Sequence, residues 1–521
     1  MPKSSNQGKH SKLSAEFPIF IFEEFTFSTN ENGVDASFHF TLGDRYHFYP
    51  TLFIPLKNRV LTDESLNCML PALIFHIGMI ELISYWKAAC SPLVVIKPAG
   101  LDQDQVRWWK NLYFNGLGEF FYLNSIDADE ESFMEIRADG PAFPLFSRAD
   151  AGAGVIIPVG GGKDSAVTLG LLGEKLDVTP LVLNPRGATS AVIEKFRYAG
   201  CGMQDAGYGM QDAGYKMQDA GYGMQDAGCR MQDAGYEMQD AGCGMQDAGC
   251  GMQDAGCGMR DEKREPLEII RTIDPLLLKL NAEGFLNGHT PFSALLAFIC
   301  LAAAAVTGKK YIVLSNESSA NEATIPGTKI NHQYSKSLEF ENDFRWYVSK
   351  YITRDIEYFS FLRPVNELRI AWLFSRMPYY HEVFRSCNLG SKTDSWCGKC
   401  AKCLFTFIIL SPFMGIPRLT EIFGKNLLGD TELSEILKQF TGAAGEKPFD
   451  CIGTIDEVNL ALCETIRQLN GKSLPALLQL YKDSAEYNIY YDQDFLKLMR
   501  VYEPNNLPPE FEHILKYALN A

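Results

Sequence analysis

The chain has 521 residues, 46% of them hydrophobic, and a formal net charge of −16 at pH 7. The length favours about three domains, and this hydrophobic fraction is typical of a globular protein with substantial cores. The acidic balance argues against bulk nucleic-acid binding, because a protein that displaces counterions from nucleic acid needs a basic surface. An anionic substrate would therefore need a local basic pocket.

The first part of the chain predicts a tail followed by a mixed α+β domain. The N-terminus is polar and lacks the apolar core of a signal peptide, so we predict a disordered tail over residues 1–18. The longest uncharged apolar run, Ala294–Val306, is too short to span a bilayer, so we expect a cytoplasmic chain with no membrane insertion. Residues 19–150 are predicted to form a separate N-terminal domain with three strands and one long helix: Phe20–Phe27, Ala36–Leu42, Leu93–Ile96 and Leu70–Ala89.

A glycine-rich loop, Gly160–Ser165 (Gly-Gly-Gly-Lys-Asp-Ser), follows the apolar strand-like segment Val155–Val159 and precedes a helix-like segment, Ala166–Leu172. Glycines let phosphate oxygens approach the backbone N–H groups, and the start of a helix attracts anions through its unpaired N–H groups and its dipole. The sequence therefore predicts an anion-binding loop, with ATP as the first candidate ligand.

Spacing separates this loop from two commoner nucleotide-binding loops. A P-loop requires Lys followed directly by Ser or Thr, whereas Asp164 separates Lys163 from Ser165. A dinucleotide-binding loop ends in Gly or Ala and has an acidic residue about 20 positions further on, which this chain lacks. The order Gly-Gly-x-Asp-Ser resembles the loop of the N-type, or PP-loop, ATP pyrophosphatases, which cleave ATP to AMP and pyrophosphate. The candidate ATP-binding residues are Gly160, Gly161, Gly162, Lys163, Asp164, Ser165 and Asn184.

A heptapeptide, Gly-Met-Gln-Asp-Ala-Gly-Tyr/Cys, repeats from Cys201 to Met259. Most units carry two glycines, and each glycine destabilises a helix by about 1 kcal/mol relative to alanine, so a coiled coil is disfavoured. We predict a flexible insertion over residues 199–262, in a crossover at the sheet edge where loop closure depends only weakly on length. Metal or partner binding by its Met and Cys side chains is the alternative.

Alternation of strands and helices over residues 151–420 predicts an α/β domain with a doubly wound parallel sheet. Such sheets bind ligands at the carboxyl ends of their strands, where Gly160–Ser165, Asn184 and Ser315–Glu317 would lie. Residues 421–521 are predicted to be a helical C-terminal region. The predicted strands are Val178–Leu183, Leu267–Ile273 and Tyr311–Leu314, and the predicted helices are Ser190–Tyr198, Leu433–Phe440 and Leu474–Tyr481.

The 14 cysteines include one cluster with the spacing of a metal site. Four thiolates in a short span match a closed tetrahedral zinc centre, so we predict structural zinc in a loop over residues 387–403. An iron–sulfur cluster or free thiols are the alternatives. The predicted ligands are Cys387, Cys397, Cys400 and Cys403. The scattered cysteines are interpreted as buried thiols: Cys68, Cys90, Cys300, Cys451 and Cys463.

The glycine-rich loop with a cysteine cluster is similar to the 7-cyano-7-deazaguanine synthases, but the longer set of motifs resembles the UDP-N-acetyl-α-D-muramoyl-L-alanyl-L-glutamate epimerase family. That resemblance extends over roughly residues 85–453, apart from the repeat. The motifs are Tyr85–Lys87, Gly116–Phe120, Gly160–Ser165, Asn287–Pro291, Ser315–Ser318, Ile325–Gly327, Asn331–Lys336, Leu362–Glu367, Trp396–Gly398 and Ile422–Asn426.

The family resemblance implies an isomerase of bacterial peptidoglycan biosynthesis that inverts the terminal L-glutamate of UDP-MurNAc-L-Ala-L-Glu, with ATP and Mg²⁺. Adenylation of the glutamyl carboxylate would remove the charge that opposes loss of the α-proton. His289 and His332 are the candidate acid and base, and Lys336 is a further base or a substrate contact. Glu317 would assist Mg²⁺, and Arg363 would bind a carboxylate or the UDP phosphates.

Two other function classes stay open on the sequence alone. One is an ATP-dependent enzyme that modifies a nucleobase or tRNA, which would share the loop and the cysteines but not the Asn331–Lys336 and Leu362–Glu367 segments. The other is a non-catalytic nucleotide-binding zinc protein that uses the repeat as an interaction arm.

Overall fold

The fold was analysed in a computed structural model. It describes residues 6–56, 64–147, 152–198, 264–325, 327–387, 389–390, 393–444 and 447–520. The predicted flexible insertion over 199–262 and the first five residues of the predicted tail lie outside these ranges.

A single sheet of eleven strands runs through the described residues. In chain order the strands are β1 (Ile19–Thr29), β2 (Gly33–Leu42), β3 (Tyr46–Phe48), β4 (Thr51–Pro55), β5 (Leu93–Ile96), β6 (Glu135–Ala138), β7 (Val155–Pro158), β8 (Val178–Leu183), β9 (Leu267–Thr272), β10 (Tyr311–Leu314) and β11 (Glu357–Ser360). Their spatial order is β11-β10-β7-β8-β9-β4-β2-β1-β5-β6, with β3 beside β2.

Most strand pairs in this sheet are parallel. Strands β7 to β11 pair in parallel, as do β1 with β5 and β5 with β6. The antiparallel pairs involve β2 and the junction of β4 with β9. Together with the helices, this arrangement confirms the predicted α/β class.

Helices cover both faces of the sheet and form most of the C-terminal part. They are α1 (Gln7–Glu16), α2 (Glu64–Trp86), α3 (Gln103–Gly116), α4 (Gly118–Asn124), α5 (Lys163–Leu172), α6 (Gly187–Tyr198), α7 (Pro275–Ala282), α8 (Phe292–Thr307), α9 (Leu338–Tyr351), α10 (Glu367–Ser375), α11 (Ala401–Phe423), α12 (Ser434–Thr441), α13 (Ile455–Leu469), α14 (Ala476–Lys482), α15 (Ala485–Tyr490), α16 (Phe495–Met499) and α17 (Pro509–Asn520). A Gly415 with φ of 74° interrupts α11.

Alternate residues of β7 enter two different hydrophobic cores, as expected for a central strand that is covered on both faces. Ile156 packs in a core that also contains the α2 and α8 side chains, whereas Val155 and Ile157 pack with α5, α10 and α11. The active-site candidates lie at the carboxyl ends of the strands between these two cores.

The predicted separation of an N-terminal domain at residue 150 is not seen. Strand β4 pairs with β9 through Leu52–Arg271 and Phe53–Ile270, so both regions contribute to one sheet. They also share one hydrophobic core, in which helix α2 contacts α8. The edge of β9 that a domain boundary would have left unpaired is therefore hydrogen-bonded to β4.

Part of the predicted disordered tail is instead the helix α1. Leu13 and Phe17 are buried, and the Phe17 ring contacts Tyr46 and Phe285. This apolar contact orders a segment whose composition alone is polar.

Two helical segments, Leu66–Trp86 and Ala401–Phe423, are long and apolar enough to cross a membrane by length and composition. Neither segment was predicted from the sequence to have this length and apolar character. Inside the fold, 83% and 61% of their most apolar windows are buried. That degree of burial is typical of core helices, which pass the same length test.

Candidate active site

The predicted strand-end residues meet in one cavity of about 730 Å³. The glycine loop follows β7, Asn184 follows β8, and Ser315–Glu317 follow β10. This volume lies within the range of about 300–1,000 Å³ that is usual for small-molecule sites. Other lining residues come from the His289, Asn331–Lys336, Glu367, Arg385–Cys387 and Cys451 segments.

The geometry of the glycine loop requires glycine at Gly161. Its φ is +81°, and a Cβ there would lie 3.0 Å from the carbonyl carbon of Ala188. Gly162 is the N-cap of α5, so the first turn of the helix has no capping side chain from that position. The Ser165 hydroxyl donates to the Gly162 carbonyl at 3.1 Å. The loop therefore has the backbone arrangement of an anion site.

Lys163 already has two carboxylate partners. Its ammonium lies 2.5 Å from Asp164 and also pairs with Glu367, at the start of α10. Burial disfavours the charge, but the two carboxylates outweigh burial and raise the pKa of Lys163. Burial also raises the pKa of Glu367, against the opposing effect of Lys163. Sequence reasoning assigned Lys163 to ATP binding and did not identify Glu367 as its partner.

Three carboxylates line the cavity near the glycine loop: Asp164, Glu317 and Glu367. Carboxylate oxygens are the ligands that Mg²⁺ prefers, and the cation usually bridges one or two of them to substrate phosphates. These side chains are therefore of the chemical kind that Mg²⁺ takes as ligands. Glu367 could have been found from the sequence, because it ends the Leu362–Glu367 motif.

His289 and His332 lie side by side at another wall of the cavity, with ring centroids 4.5 Å apart. Glu119, on α4, pairs with His332 Nδ1 and lies 3.6 Å from His289 Nδ1. Burial and the neighbouring His332 lower the pKa of His289 to about 4. For His332 burial opposes the charge, but Cys451 and Glu119 raise the pKa to about 9. At neutral pH the pair is thus one neutral and one charged imidazole.

Lys336 and Cys451 complete this wall. The Lys336 ammonium donates to Cys451 Sγ at 3.1 Å, and Lys336 is itself buried. Burial lowers its pKa, but Cys451 and Glu317 outweigh that effect, so the pKa of Lys336 is raised. Cys451 is a free thiol, as predicted, but it is only partly buried and it has a cation partner. Cys68 was also predicted to be buried, but it is exposed. Cys90, Cys300 and Cys463 are buried as predicted.

Arg363 and Asn184, which were predicted to bind ligands, instead form hydrogen bonds within the fold. Arg363 is fully buried and donates to the carbonyl oxygens of Glu317, at 2.5 Å, and of Lys336. Its guanidinium also lies 3.5 Å from Glu341. It therefore positions two cavity residues. It is not available to bind a substrate carboxylate or phosphate, because its guanidinium is buried against partners within the fold.

Asn184 lines the cavity, but its side chain is bonded to the neighbouring strand. Its amide donates to the Arg271 carbonyl at 2.9 Å and its oxygen accepts from the Arg271 N–H at 2.8 Å. The φ of Asn184 is +52°, a conformation that Asn tolerates better than most residues. The side chain thus fixes the end of β8.

The four predicted zinc ligands converge, including Cys387. Cys400 Sγ lies 3.5 Å from the sulfurs of Cys387 and Cys403, and Cys397 Sγ lies 3.6 Å from that of Cys403. A tetrahedron with Zn–S bonds of about 2.3 Å has edges of about 3.8 Å, so this set fits zinc. Zinc there would hold the loop without an open coordination position.

The cysteine loop is joined to the glycine loop. The Arg385 N–H donates to the Gly161 carbonyl at 2.8 Å, and Ser386 Oγ lies where a Cβ on Gly162 would make a 3.0 Å contact. Arg385 and Ser386 immediately precede Cys387. A metal at the cysteines would therefore stabilise the wall of the cavity that faces the Gly160–Ser165 loop.

Family models match most of the chain. A model described as MurL N-terminal domain matches residues 11–203 and 255–361, and one described as MurL C-terminal domain matches residues 383–492. The chain belongs to the MurL family. This finding confirms the resemblance drawn from the sequence motifs, and the family match is interrupted between residues 203 and 255, where most of the heptapeptide repeat lies.

Three relatives carry the name UDP-N-acetyl-alpha-D-muramoyl-L-alanyl-L-glutamate epimerase. The protein from Salinispora tropica is 29% identical over 88% of each chain. The protein from a Micromonospora species is 29% identical over 83% of each chain, and that from Xanthomonas oryzae pv. oryzae is 28% identical over 83% of this chain and 82% of its own. No solved structure matches this chain.

Proposed function

We propose that this protein inverts the terminal L-glutamate of UDP-MurNAc-L-Ala-L-Glu and cleaves ATP to AMP and pyrophosphate in doing so. The observation that carries the proposal is the single cavity in which the Gly160–Ser165 loop faces the His289, His332 and Lys336 side chains. A phosphate-binding loop and an acid–base cluster are both needed for such a reaction. Family membership and the names of the relatives support the choice of substrate.

ATP would solve the chemical difficulty of the reaction. Removal of an α-proton beside an ionised carboxylate would place a second negative charge on the same group. Attack of that carboxylate on the α-phosphate of ATP forms an acyl-adenylate, whose carboxyl group no longer carries a negative charge, and releases pyrophosphate. Its α-proton can then pass to a general base, and a proton returned to the opposite face gives the D-configuration before water releases AMP.

The roles of the loop residues follow from their positions. In the proposal, the part of the sheet formed by the parallel strands β7 to β11, within residues 151–420, is of the PP-loop ATP pyrophosphatase type. Its Gly160–Ser165 backbone N–H groups hold the pyrophosphate, and Asn184 keeps the adjoining strand end in place. Asp164, Glu317 and Glu367 would hold Mg²⁺, which neutralises phosphate charge when bound. Lys163 keeps Asp164 and Glu367 close together in its absence.

The test combines nucleotide and stereochemical readouts. The purified full chain is incubated with ATP, Mg²⁺ and UDP-MurNAc-L-Ala-L-Glu in deuterium oxide. We expect pyrophosphate and AMP that depend on the peptide substrate, together with deuterium at the glutamyl α-carbon and a D-glutamyl product. Pyrophosphate release only with a different carboxylate would contradict the proposal.

The loop assignment has its own control. Ser165→Ala and Asp164→Ala should each reduce pyrophosphate release by about 100-fold or more, because the loop holds the pyrophosphate that leaves in the reaction. The metal content should stay as in the wild type, and folding is measured in both variants because Asp164 is one of two carboxylate partners of the buried Lys163. Full activity in both variants would show that ATP is not bound at this loop.

A further inference from the structure

Two of the base candidates that sequence reasoning favoured, Lys336 and His332, are positively charged in this fold, and the third, His289, is a weak neutral base because its pKa is lowered to about 4. Lys336 is buried beside the Cys451 thiol and Glu317, and these outweigh burial to hold its pKa above the usual range. His332 is paired with Glu119 and Cys451, which raise its pKa to about 9. A protonated ammonium or imidazolium cannot accept a proton. Neither group is therefore available at neutral pH as the base that removes the α-proton.

Both cations instead face the Cys451 sulfur. Lys336 Nζ lies 3.1 Å from Cys451 Sγ, and His332 contacts the same thiol while its Nδ1 is held by Glu119. A third cation, Lys402, acts on the thiol from helix α11, where it also lies 3.8 Å from the neighbouring Asp450 carboxylate. Burial disfavours the thiolate, but these cations reverse that effect and lower the pKa of Cys451 to about 6.

The order Glu119–His332–Cys451 follows a general arrangement for activated thiols. In such sites an imidazole contacts the sulfur and a third group orients the imidazole. Cys451 lines the same cavity as the glycine loop, His289 and Lys336. The thiolate is thus in reach of the cavity, and a base whose pKa lies near the working pH is suited to general base catalysis.

We propose that Cys451 is a catalytic residue that exchanges the α-proton of the activated glutamyl residue. This inference rests on the proposed function. In the step, the Cys451 sulfur takes the proton, the electron pair of the C–H bond passes into the acyl group, and an enolate of the acyl-adenylate results. The thiolate becomes a thiol, and the acyl–AMP bond stays intact. Lys336 and His332 are positioning residues that keep the sulfur deprotonated.

The first experiment separates proton exchange from ATP cleavage. Full-length Cys451→Ala and Cys451→Ser are incubated with ATP, Mg²⁺ and UDP-MurNAc-L-Ala-L-Glu in deuterium oxide. We expect AMP and pyrophosphate formation within about threefold of wild type, but α-deuterium and D-glutamyl product reduced by about 100-fold or more. Cys463→Ser, at a buried cysteine of α13, is the matched control and should retain both reactions.

Each other outcome of that experiment has a definite meaning. Retained epimerisation in both Cys451 variants overturns the assignment, as does equal loss of AMP formation and epimerisation in folded variants. Loss of AMP formation in the wild type itself contradicts the proposed function, and the proton-exchange role then fails with it. A substrate-derived mass increase on Cys451 after acid quenching would make this residue a covalent nucleophile and would also overturn the assignment.

A second measurement uses the wild-type fold and does not depend on turnover. Iodoacetamide alkylation, read by peptide mass spectrometry, should have a pH midpoint near 6 at Cys451, and UDP-MurNAc-L-Ala-L-Glu should slow it. Lys336→Met removes the closest cation, so the midpoint should rise by one pH unit or more. A midpoint near 9 in the wild type, or no change in Lys336→Met, would contradict the proposed thiolate.

Discussion

Paired charges determine which cavity side chains can act on a ligand. Lys163 is held by Asp164 and Glu367, and His332 is held by Glu119, so neither charge is isolated in the cavity. Removal of one partner of a buried pair leaves the other charge without compensation, which destabilises a protein by about 3–5 kcal/mol. Variants at this wall should therefore be assayed for folding as well as for activity.

Gly161→Ala should disrupt the phosphate-binding loop. The side chain would bring its Cβ to 3.0 Å from the Ala188 backbone, and the φ of +81° disfavours any residue with a Cβ by about 1–2 kcal/mol. We expect ATP-dependent pyrophosphate release to fall by at least tenfold. Gly284→Ala is the control, because its φ is +97° but nothing lies within 4 Å of the added Cβ. It should lose similar stability and keep full activity; equal activity in both variants would contradict the prediction.

His289 should make the fold sensitive to acid. Burial, with His332, Lys87 and Lys336 nearby, lowers its pKa to about 4 despite Glu119. A lowered pKa means that the unfolded chain binds the proton more readily than the folded chain does. The contribution of the His289 imidazole to the free energy of unfolding is therefore complete above pH 6.5 and is lost as the pH falls through 4. The shift corresponds to about 3 kcal/mol.

The measurement is the free energy of unfolding in urea at pH 7 and pH 4.5. His289→Gln should lose less stability over this interval than the wild type. His513→Gln, at an exposed position, is the control. Identical pH dependence in all three proteins would show that His289 is not buried as a neutral imidazole.

Sequence reasoning identified the cavity but not the pairing inside it. The order of glycines, Asp164 and Ser165 predicted the loop, and the strand-end rule predicted which segments meet there. Glu119, Glu367 and Cys451 were missed because their roles depend on contacts across 213, 204 and 115 positions in the chain, which are those of His332 with Glu119, Lys163 with Glu367 and Lys336 with Cys451. Arg363 was assigned to a ligand because full burial cannot be read from an arginine in a motif.

At the scale of elements, strands were predicted more closely than the loops that join them. Tyr311–Leu314, Val178–Leu183 and Leu93–Ile96 coincide with their predicted bounds, because short apolar runs between turn residues leave few alternatives. The helix α1 was missed because its stability comes from Leu13 and Phe17 packing elsewhere in the fold. The cysteine loop was predicted as a metal site, but its bond to Gly161 was not.

Loss of one cysteine of the cluster should therefore affect ATP cleavage as well as metal content. Cys403→Ser leaves three thiolates, which bind zinc less tightly, and frees the segment that carries the Arg385 bond to Gly161. We expect about one zinc per chain in the wild type by elemental analysis, less than half of that in the variant, and a lower unfolding temperature. Cys68→Ser, at an exposed cysteine, is the control. Full pyrophosphate release in a metal-free, folded variant would contradict the link between the two loops.

The repeat can be removed without separating the elements beside it. Arg264 donates to the Phe196 carbonyl at 3.0 Å and to the Gly173 carbonyl at 2.9 Å, so the chain leaves and re-enters the described fold at neighbouring points. An eightfold shorter connection should stabilise the fold by about 2 kcal/mol through loop closure. Replacement of residues 203–259 by a short Gly-Ser linker should keep ATP cleavage and raise the unfolding temperature. Loss of activity with an intact fold would assign a function to the repeat.

At the scale of the whole molecule, one sheet and one shared core join the regions that the sequence divides near residue 150. Composition changes there, and strands on both sides were predicted correctly, but the antiparallel pairing of β4 with β9 joins segments more than 200 residues apart. Nothing in the pattern of either strand specifies its partner. The strength of that junction decides whether the two regions unfold together.

The buried pair of Glu81 and Arg271 tests this coupling. Arg271, on β9, donates to both carboxylate oxygens of Glu81, at 2.7 and 2.8 Å. Glu81 lies on helix α2, on the other side of the predicted boundary. Glu81→Ala should leave the Arg271 guanidinium uncompensated and lower the free energy of unfolding by about 3–5 kcal/mol. Because the core is shared, the total tryptophan fluorescence, to which Trp86, Trp108 and Trp109 contribute, and calorimetry of the whole chain should shift together in a single transition. Glu135→Ala, at an exposed surface pair, is the control and should change stability by less than about 1 kcal/mol. Two separate transitions, with only the first one shifted, would show that residues 19–147 unfold independently and that the sheet junction is weaker than its continuous pairing indicates.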